Sequence, residues 1–295
     1  MGRRSGRRLF IERSNAVWNS ESNVPGGPEG PEVTSIHQLG IARAFRVGNL
    51  GVEVCESAGA MGKAAAETAA ERLRALAAQH ESFGVIFATG ASQIATLDAL
   101  TAIPGLPWSQ VVGFHMDEYL GLSGQHPASF RRYLRERLTS KVNLRQFYEI
   151  DGTAPDVEAA CCKYAEVLRR RLPHLCLLGI GENGHLAFND PAEADFEDPL
   201  DVKVVSLDEQ CRQQQVSEGW FKSLSEVPQQ AISLTIPALL RVPRLIVSVP
   251  GKRKAAIVKR MLKEAISTAC PATILRNHPQ ATLYLDPDSA AELPL

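Results

Sequence analysis

Within nine residues of this chain stand Glu182, Asn183, His185, Asn189 and Asp190, interleaved with Gly181 and Gly184 and preceded by Gly179. A histidine can move protons near neutral pH, and Asn183 and Asp190 are candidates to orient it. The glycines allow positive φ and close backbone approach, so the segment reads as a shaped loop. Leu175-Cys176-Leu177-Leu178 runs into it with almost nothing polar, the pattern of a strand buried on both faces. The alternative is a tight turn with a structural histidine.

Three further groups sit in comparable places. Asp117 and Glu118 follow the apolar run Val111–Phe114. Successive side chains of a strand point opposite ways, so one of the pair is expected to enter a cleft, where a carboxylate can act as general base. A magnesium ligand or a helix cap are the other uses of such a pair, and no aspartate-rich spacing supports the metal. Thr89-Gly90-Ala91-Ser92-Gln93 lies between a strand and a helix, where free N–H groups favour an anion such as phosphate. The competing role for Ser92 is a simple helix cap. Lys252, Arg253 and Lys254 also follow a strand, and Lys254 is expected to open a helix over Lys254–Ile266. A cation is unfavourable at the positive end of the helix dipole unless an anion binds there. Neither a Walker loop nor a Gly-x-Ser-x-Gly elbow occurs. The set suits proton transfers on a small phosphorylated molecule, with no metal and no redox cofactor called for.

The elements that must position these groups alternate. Strands are expected at Val52–Cys55, Gly84–Ala88, Val111–Phe114, Leu175–Leu178 and Leu245–Val249. Helices are expected at Met61–Ala78, Ile94–Ala102, Ala128–Leu138, Val157–Arg171 and Lys254–Ile266. Alternation of this kind predicts an α/β fold, a mainly parallel open sheet with helices on both faces in the doubly wound, Rossmann-like manner. Ligands of such sheets bind beyond the carboxyl ends of the strands.

The chain has 295 residues, 44% of them hydrophobic, and a formal net charge of -1. These values describe an ordinary globular protein with no electrostatic case for nucleic acid or membrane binding. No apolar run approaches the length of a membrane span. The six cysteines show no metal-site spacing and read as reduced thiols, which points to the cytoplasm. Residues 1–40 are expected to be a disordered or loosely attached extension, rich in Arg, Gly, Pro and Glu, ahead of a single domain over 41–295.

Met116-Asp117-Glu118-Tyr119-Leu120-Gly121-Leu122 with His126-Pro127 resembles the MDEYxGL…HP motif of the glucosamine-6-phosphate deaminase/isomerase family. The run Gly179–Pro191 is similar to that family's second signature, and the Thr89 loop, Lys254 and His278-Pro279-Gln280-Ala281 are similar as well. The resemblance extends from about Phe45 to Asp286. The 6-phosphogluconolactonases share the fold, but their histidine loop usually continues into Ser-Leu-Phe-Pro, where this chain has Ala-Phe-Asn-Asp-Pro.

The resemblance implies deamination and aldose–ketose isomerisation of an amino-sugar phosphate. Catalytic residues would be Asp117, His185, Asn183, Asp190 and Glu118. The 6-phosphate would rest on Thr89, Gly90, Ala91, Ser92, Gln93 and Lys254. His185 would open the pyranose ring, and Asp117 would move a proton between carbons 2 and 1 of the open aminosugar to give an enolamine. The expected partner is a small-molecule sugar phosphate, with a homo-oligomer left open. A sugar-phosphate lactone hydrolase and a non-catalytic sensor are the alternative functions.

The chain departs from the family in three places. Asn183 stands where many members have aspartate, Asp190 where glutamate is common, and the family's lid Asn-Ser-Arg is replaced by Gln213-Gln214-Gln215-Val216-Ser217-Glu218. Arg212 is the candidate substitute for the missing phosphate arginine. Asp190 is expected to be the main partner of His185 and Asn183 the minor one.

Overall fold

The structure is a computed structural model that describes residues 39–294. The extension expected over 1–40 falls almost wholly outside those residues. Among the described residues, eleven strands form two sheets, with seven α-helices between them in sequence. In chain order the elements are β1 (Ile41–Val47), β2 (Leu50–Cys55), α1 (Ala58–Ala77), β3 (Phe83–Phe87), α2 (Ile94–Ala102), β4 (Val111–His115) and β5 (Asp117–Tyr119). Then come α3 (Phe130–Leu134), β6 (Gln146–Tyr148), α4 (Val157–Arg171), β7 (Pro173–Leu178), β8 (Val202–Ser206), α5 (Glu209–Ser217) and β9 (Gln230–Leu234). The chain closes with α6 (Ile236–Leu240), β10 (Arg244–Val249), α7 (Ala255–Lys263) and β11 (Ala281–Leu285).

The large sheet runs β1-β2-β11-β10-β7-β3-β4-β6. Only the β1–β2 pair is antiparallel; every other neighbour is parallel. Alternation along β7 shows why the sheet is covered twice. Leu175 and Leu177 pack with Leu73, Leu76, Leu97, Leu100 and Leu134 of α1, α2 and α3. Cys176 and Leu178 pack with Leu168, Val258 and Met261 of α4 and α7 on the other face. A strand buried on both faces has no polar side to show, which explains the unbroken apolar run. Each such leucine contributes roughly 1.5–3 kcal/mol of burial.

Local chemistry sets the helix starts. Ser57 accepts from the Ala60 N–H at 3.1 Å, Asp156 from Ala159 at 2.9 Å and Asp208 from Cys211 at 2.6 Å, opening α1, α4 and α5. The helix expected over Ala128–Leu138 starts at Phe130 because Ser129 caps it, and Arg135–Thr139 continue it as a widened π turn. Lys254 belongs to a 3₁₀ turn that precedes α7, and α7 ends at Lys263, short of the expected Ile266.

A second, antiparallel sheet, β5-β9-β8, is not anticipated by the alternation. It leaves the main sheet directly after β4 and carries Asp117 opposite Ser233. All six cysteines are unpaired. No helix among the described residues is long and apolar enough to cross a membrane.

Candidate active site

The four polar loops foreseen at strand ends follow β10, β7, β3 and β4, which are consecutive neighbours in the sheet. Their carboxyl ends therefore meet at one place. There a cleft of about 220 Å³ is lined by Thr89–Ser92, Asp117, Gly179, Gly181, His185, Lys252–Lys254 and residues of α5.

Two of the loops are built alike. After β3, Gly90 takes φ 82° and leads through the 3₁₀ turn Ala91–Gln93 into α2; after β10, Gly251 takes φ 92° and leads through Lys252–Lys254 into α7. These left-handed values favour glycine. No side chain caps either helix, so Ser92 is not the helix cap it could have been. Two open helix N-termini thus face one cleft, a ready anion site. Lys254 stands beside them almost completely buried, and burial lowers its pKa while Glu218 and Glu182 pull it back up. Gln93 does not itself line the cleft; it stands behind the loop and donates to Ser92 Oγ at 3.2 Å.

The glycines of the histidine loop have separate reasons. A Cβ on Gly179 would lie 2.4 Å from Ser92 Oγ, and one on Gly181 would lie 2.2 Å from the His185 ring. Only Gly184 needs its positive φ, 92°. The imidazole therefore lies flat against bare backbone at residue 181. Gly181→Ala should push the ring off its seat, lowering turnover by about 10²-fold, the cost of a displacement near 1 Å. The same change should cost about 1–3 kcal/mol of stability by overpacking. Steady-state kinetics with urea unfolding checks both, and an unaltered turnover would show that the ring is not held there.

His185 Nδ1 lies 2.8 Å from Asp190 Oδ1, although the N–H direction is off the line of a well-formed hydrogen bond. Such contacts commonly tighten only when substrate binds. Asp190 is completely buried. Burial alone would raise its pKa, but the His185 bond and charge, the Asn183 amide and the Asp208 N–H together hold it below the usual value. Asn183 makes no hydrogen bond to the imidazole; it meets the backbone N–H of His185 instead. Its amide donates to Asp190 Oδ1 at 2.9 Å and to Asp208 Oδ2 at 2.8 Å, and its oxygen accepts the His185 N–H at 3.0 Å. It bridges two carboxylates, which an aspartate at this position could not do without a proton.

Asp117 faces the cleft with Oδ1 buried and unpartnered. Burial, with the Glu118 carboxylate second, pushes its carboxyl up to about 8. An unsatisfied buried carboxylate with a pKa near neutrality is a mark of a functional group.

Glu118 turns the other way, so of the pair it is Asp117 that lines the cleft, and the catalytic role that the resemblance implies for Glu118 has no cleft-facing carboxylate behind it. It is completely buried and accepts from the N–H groups of Tyr119, Phe130 and Arg131 and from Ser129 Oγ. It fastens the start of α3 to β5. Arg212 is a second correction. Its guanidinium donates to the Leu224 and Val227 carbonyls at 2.7 and 3.2 Å, which commits it to the loop after α5 and away from the cleft lining. Arginine's preference for carbonyl-rich turns is not visible in spacing alone.

Sequence reasoning missed Asp208, Gln214 and Gln215. The first caps α5 and joins the Asp190–Asn183 group; the others line the cleft. The Gln-Gln-Gln run was the available signal.

His185, Asp190 and Cys211 bring donor atoms within 4.8 Å of one another, the spacing of a metal site. Burial, and the charges of Asp190 and Asp208 after it, push the Cys211 thiol well up.

A mainly parallel α/β sheet thus gathers a buried carboxylate, a histidine, two open helix N-termini and a buried lysine around one cleft at the carboxyl ends of its strands. Comparisons with known proteins show which family this architecture belongs to. The family described as glucosamine-6-phosphate isomerases/6-phosphogluconolactonase matches residues 56–284. A glucosamine-6-phosphate deaminase of Streptococcus thermophilus is 33% identical over 79% of this chain and 95% of its own length. One from Exiguobacterium is 37% identical over 63% of this chain and 71% of its own. A solved structure of a monomeric glucosamine-6-phosphate deaminase superposes with a TM-score of 0.75 at 28% identity, covering 81% of this chain and 98% of that one. The 6-phosphogluconolactonase of Thermotoga maritima shares the fold, with a TM-score of 0.65 at 20% identity over 80% of this chain and 98% of that one. The chain belongs to the glucosamine-6-phosphate isomerase/6-phosphogluconolactonase family.

Proposed function

We propose that this protein deaminates and isomerises an amino-sugar phosphate, converting glucosamine 6-phosphate and water into fructose 6-phosphate and ammonia. The observation that carries the reading is Asp117, a cleft-facing carboxylate with an unpartnered oxygen and a pKa pushed to about 8, in the same cleft as His185. A carboxylate so placed is matched to abstracting a proton from carbon at neutral pH. The names of the relatives support the same chemistry.

The steps assign each group a task. The 6-phosphate lies on the Thr89–Ser92 loop, the open N-terminus of α7 and Lys254. His185, steadied by Asp190, takes the proton of the anomeric hydroxyl and returns it to the ring oxygen, opening the pyranose. Asp117 removes the proton on carbon 2, leaving an enolamine, and delivers a proton to carbon 1. The resulting imine at carbon 2 adds water and loses ammonia. One water is consumed and no electron acceptor is needed.

Lys254→Ala should raise the KM for the phosphorylated substrate about 10- to 100-fold with a smaller change in kcat, since a charge-assisted contact of about 1.5–3 kcal/mol is lost. Initial-rate kinetics checks it, and an unchanged KM would place the phosphate elsewhere.

The reading is tested by offering glucosamine, galactosamine and mannosamine 6-phosphates alongside 6-phosphogluconolactone. Ammonia release from a hexosamine phosphate with no lactone hydrolysis is expected. Lactone hydrolysis without ammonia release would replace this function with the lactonase one.

A further inference from the structure

The helix α5 covers the cleft and is fastened at both ends. At its start, the Asp208 N–H donates to Asp190 Oδ2 at 2.9 Å and Asp208 Oδ2 accepts from Asn183. At its end, the Ser217 carbonyl accepts from Arg253 Nη1 at 3.0 Å, and Arg253 Nε also lies 3.2 Å from Glu182. In between, Gln214 is spent on its neighbours: its oxygen accepts from the Glu182 N–H at 2.9 Å and its amide donates to Glu218 at 2.7 Å.

Gln215 is different. It lines the cleft, is only 5% exposed, and its side-chain amide makes no hydrogen bond with the described residues. Its amide is uncommitted at the cleft surface and free to meet a ligand there with both its donor and its acceptor.

Its position along α5 says which part of the ligand that is. Cys211 lies at the His185–Asp190 pair. Ser217, at the other end, lies at the basic turn that includes Lys254. Six residues of α-helix span about 9 Å, the scale of an extended hexose phosphate from its reacting end to its phosphorus. Gln215 is four residues on from Cys211, on the same helix face and about two-thirds of the way along.

We infer that Gln215 is a specificity-determining residue that hydrogen-bonds the hydroxyls on carbons 3 and 4 of the sugar phosphate. This rests on the deaminase reading above, because that reading orients the sugar with carbons 1 and 2 at His185 and Asp117. A glutamine can both donate and accept, so it reads the placement of neighbouring hydroxyls where a cation would seek the phosphate.

The test compares wild type, Gln215→Ala, Gln215→Leu and the exposed neighbour Gln213→Ala. Each is assayed for ammonia release from glucosamine 6-phosphate and from its carbon-3 and carbon-4 epimers, and for inhibition by inorganic phosphate. Both Gln215 variants should lose about tenfold in kcat/KM for the preferred epimer and less for the others, so that discrimination narrows. Inhibition by inorganic phosphate should not move, and Gln213→Ala should match wild type. If wild type releases ammonia and the Gln215 variants keep the same epimer ratios, the assignment is overturned while the deaminase reading stands. A weakened phosphate inhibition would likewise overturn it by placing Gln215 on the phosphate. If wild type releases ammonia from none of the three, the deaminase reading fails and takes this assignment with it.

Discussion

Asp117→Asn should lose about 10²–10⁴-fold in turnover, the usual contribution of a positioned general base, and should at the same time make the protein more stable. The two effects share one cause. The carboxyl is pushed to about 8 by burial and by Glu118, whereas in the unfolded chain it has its ordinary value near 4. The folded state therefore holds the proton more tightly between roughly pH 4 and pH 8. A raised pKa contributes stability that is fully present below pH 4 and is lost as pH rises through 8. Asparagine carries no such penalty, so the variant should gain over wild type across that window by a few kcal/mol at pH 8. Denaturant unfolding at pH 5 and pH 8 checks the stability, and binding of a non-reactive hexitol 6-phosphate checks that the cleft is intact. Because the base works deprotonated, wild-type kcat/KM should rise with pH toward 8. A variant with near-normal turnover would remove Asp117 from the carbon chemistry.

Asp190→Asn should lower turnover on the order of 10²-fold, the low end of what positioned acid–base catalysis supplies. Asp190 is completely buried and its Oδ1 lies 2.8 Å from His185 Nδ1. The change leaves the volume intact but replaces a charged acceptor by an amide that can present a donor to the imidazole. The defect should be confined to ring opening. A 5-deoxy analogue of the substrate, which cannot close a pyranose ring, should recover most of the lost rate, and should recover nothing in Asp117→Asn. Equal defects on both substrates would mean that Asp190 supports the whole cleft. Asn183→Ala should cost less than Asp190→Asn, since Asn183 reaches the imidazole only through Asp190 and the loop backbone.

Strand ends were readable from the sequence because a strand buried on both faces must be apolar throughout and must then stop at polar, glycine-bearing residues. That is why the loops after β3, β4, β7 and β10 could be named in advance. It could also be said that one of Asp117 and Glu118 enters the cleft, since side chains alternate; which one depends on β5 pairing with β9 across more than a hundred residues. The strands β8, β9 and β11 are short, and their patterns alone do not announce a partner. Arg212 was misplaced for a related reason. Whether a helical arginine reaches phosphate or curls onto carbonyls depends on the loop at Leu224–Val227, which nothing in the Gln213–Glu218 run specifies. Asp208 went unnoticed because a single aspartate before a helix looks like an ordinary cap. It is one, and its other oxygen meets Asn183.

The most direct test is the balance of products from glucosamine 6-phosphate. Wild-type protein should release ammonia and fructose 6-phosphate in equal amounts, at a rate that Asp117→Asn lowers by at least about 10²-fold. Turnover of 6-phosphogluconolactone with neither product formed from the aminosugar, or ammonia formed without fructose 6-phosphate, would contradict the assignment of this cleft to a deaminating isomerisation.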